Sequence, residues 1–125
     1  MSGHADVKRV STKATEKHGS LFVIEVKLNV APDYEWRKCF ERPSTYQHNE
    51  SHPSLVKIAG DELWFNSTEK NLEENIKWLD KYISQANECY HQKMAEITQK
   101  RKREQETEAK DKEEVERINK MLEKL

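Results

Sequence analysis

The sequence predicts an α+β fold: an antiparallel sheet of about four strands, two hairpins with a short connecting helix, packed by one long helix that extends as a charged C-terminal helical arm. Three observations lead there. Phe22, Ile24, Val26, Leu28 and Val30 occupy alternate positions, with Glu25, Lys27 and Asn29 between them, which is the period of a strand with one packed face. Two short apolar runs flank Ala59-Gly60-Asp61, as in a tight hairpin. From Leu72 onward no Gly or Pro occurs, and apolar residues recur at steps of three and four.

Taken in order, residues 1–6 are small and polar and are expected to be a disordered lead-in. From Val7 a weak period-two pattern runs toward the turn signal Lys17-His18-Gly19-Ser20 and predicts a first strand; the strand at 21–30 completes that hairpin. Ala31-Pro32-Asp33 ends it and starts a short helix in which Trp36 and Phe40, four apart, share a face; Pro43 stops that helix. Arg42 to Ser54 is a polar loop holding Tyr46, His48, Asn49, Glu50 and His52, long enough to be functional. Leu55 to Phe65 reads as the second hairpin. Capping residues then place the start of the long helix between Ser67 and Asn71, with Asn71 and Glu74 in capping-box spacing.

In that helix Leu72, Ile76, Leu79, Ile83, Ala86, Tyr90 and Ile97 form one stripe, widened by Trp78, Tyr82 and Cys89. So wide a face suits a helix laid on a sheet, which assigns residues 7–97 to an α+β head. From Thr98 to Glu114 the only hydrophobic residue is Ala109, so residues 98–125 form a separate charged arm. Glu96/Lys100, Glu106/Lys110, Glu108/Lys112, Glu113/Arg117 and Glu116/Lys120 are i,i+4 pairs in the favourable order, each contributing about 0.2–0.5 kcal/mol when formed. At the end of the arm Val115, Ile118, Leu122 and Leu125 form a second apolar stripe, with Met121 beside it.

The composition narrows the function classes. Only 34% of residues are hydrophobic against 36% charged, so one short core is all the chain can build. Its 22 Lys and Arg nearly balance its 23 Asp and Glu, which argues against a strongly basic duplex binder and against an acidic nucleic-acid mimic. No segment is apolar over a membrane-spanning length, so no membrane partner is expected. Two cysteines, Cys39 and Cys89, are too few for a disulfide framework, and a reducing, cytoplasmic location is the expectation.

Chemistry-bearing motifs are sparse. Cys39, His48 and His52, completed by Cys89 or His91, do not follow a recognised zinc spacing, so neither a metal nor a cofactor is expected. Ser51-His52 and Asp61-Glu62 are neighbours in sequence without the makings of a catalytic site, and three glycines do not build a nucleotide cradle. No enzymatic activity is expected.

What remains is interaction. The expected function is a protein-interaction module, adaptor or inhibitor, that self-associates or docks on a partner protein through Val115, Ile118, Leu122 and Leu125. The alternative is a nucleic-acid-associated protein using the basic band of Lys93, Lys100, Arg101, Lys102 and Arg103, although Glu104, Glu106 and Glu108 follow it at once.

Overall fold

The computed structural model describes residues 6–125, and the fold is α+β. The disordered lead-in expected for residues 1–6 falls, apart from Asp6, outside the described residues. By contacts the chain divides into two units, Met1–His91 and Gln92–Leu125.

The first unit carries one four-stranded antiparallel sheet. Strand β1 (Arg9–His18) pairs with β2 (Leu21–Leu28), β2 with β4 (Glu62–Thr68), and β4 with β3 (Lys57–Ala59), so the spatial order is β1-β2-β4-β3. Both hairpins turn on two residues with glycine first, Gly19-Ser20 and Gly60-Asp61; at φ 65 and φ 58 a side chain would be strained. The long edge strand β1 carries Lys13 and Lys17 and two register irregularities, devices that discourage edge-to-edge pairing.

Alternation in β2 buries Ile24, Val26 and Leu28, and the register sets Ile24 against Phe65 and Val26 against Leu63. Ser67 continues the Leu63, Phe65 parity on β4, and its hydroxyl accepts from Asn75 Nδ2 at 2.9 Å, which places the first-unit part of helix α2 (Leu72–Glu123) over this face of the sheet. Its core-facing residues are Leu79, Tyr82, Ile83, Ala86 and Tyr90. Helix α1 (Tyr34–Glu41) is capped by Asp33, whose side chain accepts from the Trp36 N–H at 3.0 Å, and it buries Trp36, Cys39 and Phe40. Trp36 and Phe40 stack at 5.3 Å, as their i,i+4 spacing requires.

Four details differ from the sequence pattern. Val30 is exposed because β2 stops at Leu28: the Asn29 side chain leaves the ladder, accepting from the Lys8 N–H and donating to the Asp6 carbonyl. Leu55 is not in the second hairpin. It ends a 3₁₀ turn, Pro53–Leu55, initiated by Pro53 and by His52 Nδ1 accepting from the Ser54 N–H; β3 begins only at Lys57. Buried positions on α2 end at Tyr90, seven residues before Ile97, which is half-exposed.

The fourth difference is covalent. Cys39 and Cys89 form a disulfide, with Cα atoms 5.7 Å apart, that ties α1 to α2 and closes a 50-residue separation. Two cysteines without a motif spacing gave no sign of this, because partners so far apart in sequence meet only when the two helices pack.

Candidate functional site

Two surfaces need an account: the loop 42–54 and the second unit. The loop is held at three points by side chains of α2. Gln85 accepts at Oε1 from the Thr45 N–H (3.1 Å) and Ser44 hydroxyl (3.2 Å), and donates from Nε2 to the Thr45 carbonyl (2.9 Å). The Tyr82 hydroxyl accepts from the Gln47 N–H at 3.2 Å. Glu50 receives Asn75 Nδ2 (3.0 Å), the Thr68 hydroxyl (3.1 Å) and N–H (3.2 Å), and Asn71 Nδ2 (3.4 Å).

Partial desolvation raises the Glu50 pKa, but these donors, led by Asn75, outweigh it and hold the carboxyl below its ordinary value. Asn75 and Ser67 are buried beneath it. The signal was legible: Asn75 lies four residues before Leu79, on the buried stripe, where a polar side chain demands partners.

A second polar bridge joins the ends of the head. Asn87 Oδ1 accepts from the Val7 N–H (3.0 Å) and Trp36 Nε1 (2.9 Å), while its Nδ2 donates to the Val7 carbonyl (2.9 Å). Nearby, the Tyr90 hydroxyl donates to Asp33 Oδ2 at 2.6 Å; desolvation, this bond and the charges of Asp33 and Glu35 push its pKa up to about 12.

On the loop, Tyr46, His48 and His52 cluster, the two imidazoles stacked at 5.7 Å with Tyr46 edge-on to both. His52 Nδ1 is committed to Ser54, and Cys39 and Cys89 are committed to each other, so the conceivable Cys/His ligand set is dispersed. Among the described residues no group of three or more His, Cys, Asp or Glu is arranged to hold a metal. Ser51 is buried with its hydroxyl accepting from Asn49 Nδ2, away from the His52 ring nitrogen engaged by Ser54; Asp61 and Glu62 both pair with Lys27.

The second unit, Gln92–Leu125, is helical to Glu123. Lys93, Met94 and Ile97 are half-buried and every later residue is exposed. None of the five expected i,i+4 pairs closes to an ion pair among the described residues; the one such pair present is Glu73–Lys77, at 3.9 Å. Helix here rests on residue propensity and on continuity with the turns before it. Thr98 and Thr107 satisfy their hydroxyls on the carbonyls of Met94 and Arg103.

The predicted docking residues Val115, Ile118, Leu122 and Leu125 retain 60, 45, 59 and 97% of their surface, with Met121 at 57%. The basic residues Lys100, Arg101, Lys102 and Arg103 are also exposed, on the same helix some fifteen positions earlier. Lys93, by contrast, is half-buried and engaged in an interaction. No helix among the described residues is long and apolar enough to cross a membrane.

No protein family, no curated protein and no solved structure matches this chain.

Proposed function

We propose that this chain is a non-enzymatic protein-interaction module, an adaptor or small protein inhibitor, that self-associates or docks on a partner protein through its C-terminal helix. One observation carries the reading: Val115, Ile118, Leu122 and Leu125 follow each other at steps of three and four, and all are exposed. Covering the surface that these four side chains still expose, about two thirds of it on average, gains about 4–8 kcal/mol. Association itself costs about 4–15 kcal/mol. The tip is therefore a sufficient anchor only where more of the helix joins the contact.

The disulfide bears on the setting: the expected cytoplasmic location took Cys39 and Cys89 as free thiols, and their bond supports an oxidising compartment instead.

The test compares the full chain with Leu122→Glu and with a variant in which Lys100 to Arg103 are all replaced by Gln. Self-association or partner binding that disappears with Leu122→Glu and survives the Gln replacements supports the module. Salt-sensitive binding of labelled nucleic acid that disappears with the Gln replacements favours the nucleic-acid reading through the basic band.

A further inference from the structure

The face of the sheet opposite the core carries a motif that the loop and the arm leave unused. Asn66-Ser67-Thr68 has the Asn-x-Thr pattern that accepts an N-linked oligosaccharide, and it lies on β4. Leu63, Phe65 and Ser67 are buried toward the core, so alternation puts Asn66 on the opposite face with Trp64 and Thr68. Asn66 is exposed, and no hydrogen bond engages its side-chain amide among the described residues. Asparagine is disfavoured in strands, and the fold makes no use of this amide.

A second pattern of the same kind, Asn49-Glu50-Ser51, is spent on the fold. Asn49 is half-buried, its Nδ2 donates to the Ser51 hydroxyl at 3.1 Å, and its Oδ1 lies 3.3 Å from the Tyr82 hydroxyl. A sugar on that nitrogen has to push aside a loop packed on α2. At Asn66 the surroundings are open. Half-exposed Trp64 precedes it by two residues, about 7 Å along the strand, and half-exposed Val23 lies directly across on β2. The C–H face of a sugar ring can cover these apolar groups while its hydroxyls stay in water. The Cys39–Cys89 bond is an independent mark of an oxidising compartment, the setting in which N-linked oligosaccharides are attached.

We propose that Asn66 is an N-glycosylation site. Transfer precedes folding, because in the finished sheet β4 lies between β2 and β3 and the Thr68 hydroxyl is engaged by Glu50 at 3.1 Å. On the unfolded chain an oligosaccharyltransferase brings Asn66 Nδ2 to C1 of the first sugar of a lipid-diphosphate-linked oligosaccharide. The C1–N bond forms as the C1–O bond to the diphosphate breaks; the lipid diphosphate leaves, and one Nδ2 proton passes to solvent. The amide stays neutral and keeps its carbonyl and one N–H, so the register of β4 is undisturbed. The glycan then shields the open face around Trp64 from protein contact. This assignment does not depend on docking by the C-terminal helix.

The test uses the full chain isolated from the cells that produce it. Its intact mass is measured before and after peptide-N-glycosidase in heavy-oxygen water, which turns a glycosylated asparagine into a mass-tagged aspartate that peptide mapping locates. The expected result is a mass excess that the enzyme removes, with the tag at Asn66. Made in the same cells, Asn66→Gln abolishes the excess, whereas Thr68→Ser keeps the hydroxyl and retains it at least in part. Removal of the glycan also uncovers Trp64, so acrylamide quenching of tryptophan fluorescence rises in the wild type and not in Asn66→Gln. An Asn66 peptide recovered wholly unmodified, a tag at Asn49 alone, or an excess that persists in Asn66→Gln without any tag at Asn66 in the wild type overturns the proposal.

Discussion

Reduction of the Cys39–Cys89 bond tests the packing of α1 on α2 directly. The bond closes a loop of 50 residues. In the chain-entropy account, opening such a loop returns about 14 cal/mol/K to the unfolded chain, or about 4 kcal/mol at 25 °C. For a unit the size of Met1–His91, each kcal/mol moves the midpoint by about 4–8 °C, so reduction lowers Tm by about 15–30 °C. Tryptophan fluorescence is the suitable assay, because Trp36, Trp64 and Trp78 all lie in the first unit and the helical signal of residues 92–125 does not enter it. The double replacement of Cys39 and Cys89 by Ala should reproduce the reduced midpoint, apart from a small packing loss at the buried Cys39. A shift below about 5 °C on verified reduction, or two free thiols by titration of the native protein, would refute the reasoning.

The remaining predictions follow from the polar contacts and the tip. Asn87→Ala strips partners from Trp36 Nε1 and from both Val7 backbone groups, and should cost about 2–4 kcal/mol in denaturant unfolding. Glu50 has a lowered pKa in the fold, so its contribution is present above the ordinary carboxylate value and lost as pH falls through the folded value; the stability gap between wild type and Glu50→Gln should narrow below about pH 4.3. Tyr90 has its pKa raised to about 12, so its contribution is complete below pH 10 and fades as pH rises toward 12; the gap to Tyr90→Phe should shrink across that window in pH-dependent melts. Leu122→Glu should leave the Trp-monitored unfolding free energy within about 0.5 kcal/mol of wild type while weakening association by more than about 2 kcal/mol, measured by sedimentation.

Local regularities carried the elements. Period two at 22–28 and steps of three and four from Leu72 follow from geometry that every strand and helix shares, and Gly60 marks a turn because few other residues accept its φ. Where neighbouring residues compete for the same backbone, pattern was insufficient. Asn29 draws Lys8 and Asp6 to itself and ends β2 early, and Pro53 with His52 turns Leu55 out of the hairpin. Neither outcome is visible in hydrophobic periodicity.

The candidate surfaces divide in the same way. The apolar tip and the charge blocks of residues 94–125 belong to a single helix, so their facing was fixed by residue order alone, since helical geometry converts sequence spacing into direction. The strand order β1-β2-β4-β3, the Cys39–Cys89 bond, the capture of Glu50 by Asn75, Thr68 and Asn71, and the Asn87 bridge between Val7 and Trp36 join residues from 3 to 80 positions apart. Most of those contacts are long-range, and such pairing depends on how the elements pack, an outcome of burying one shared core that no local window of sequence contains.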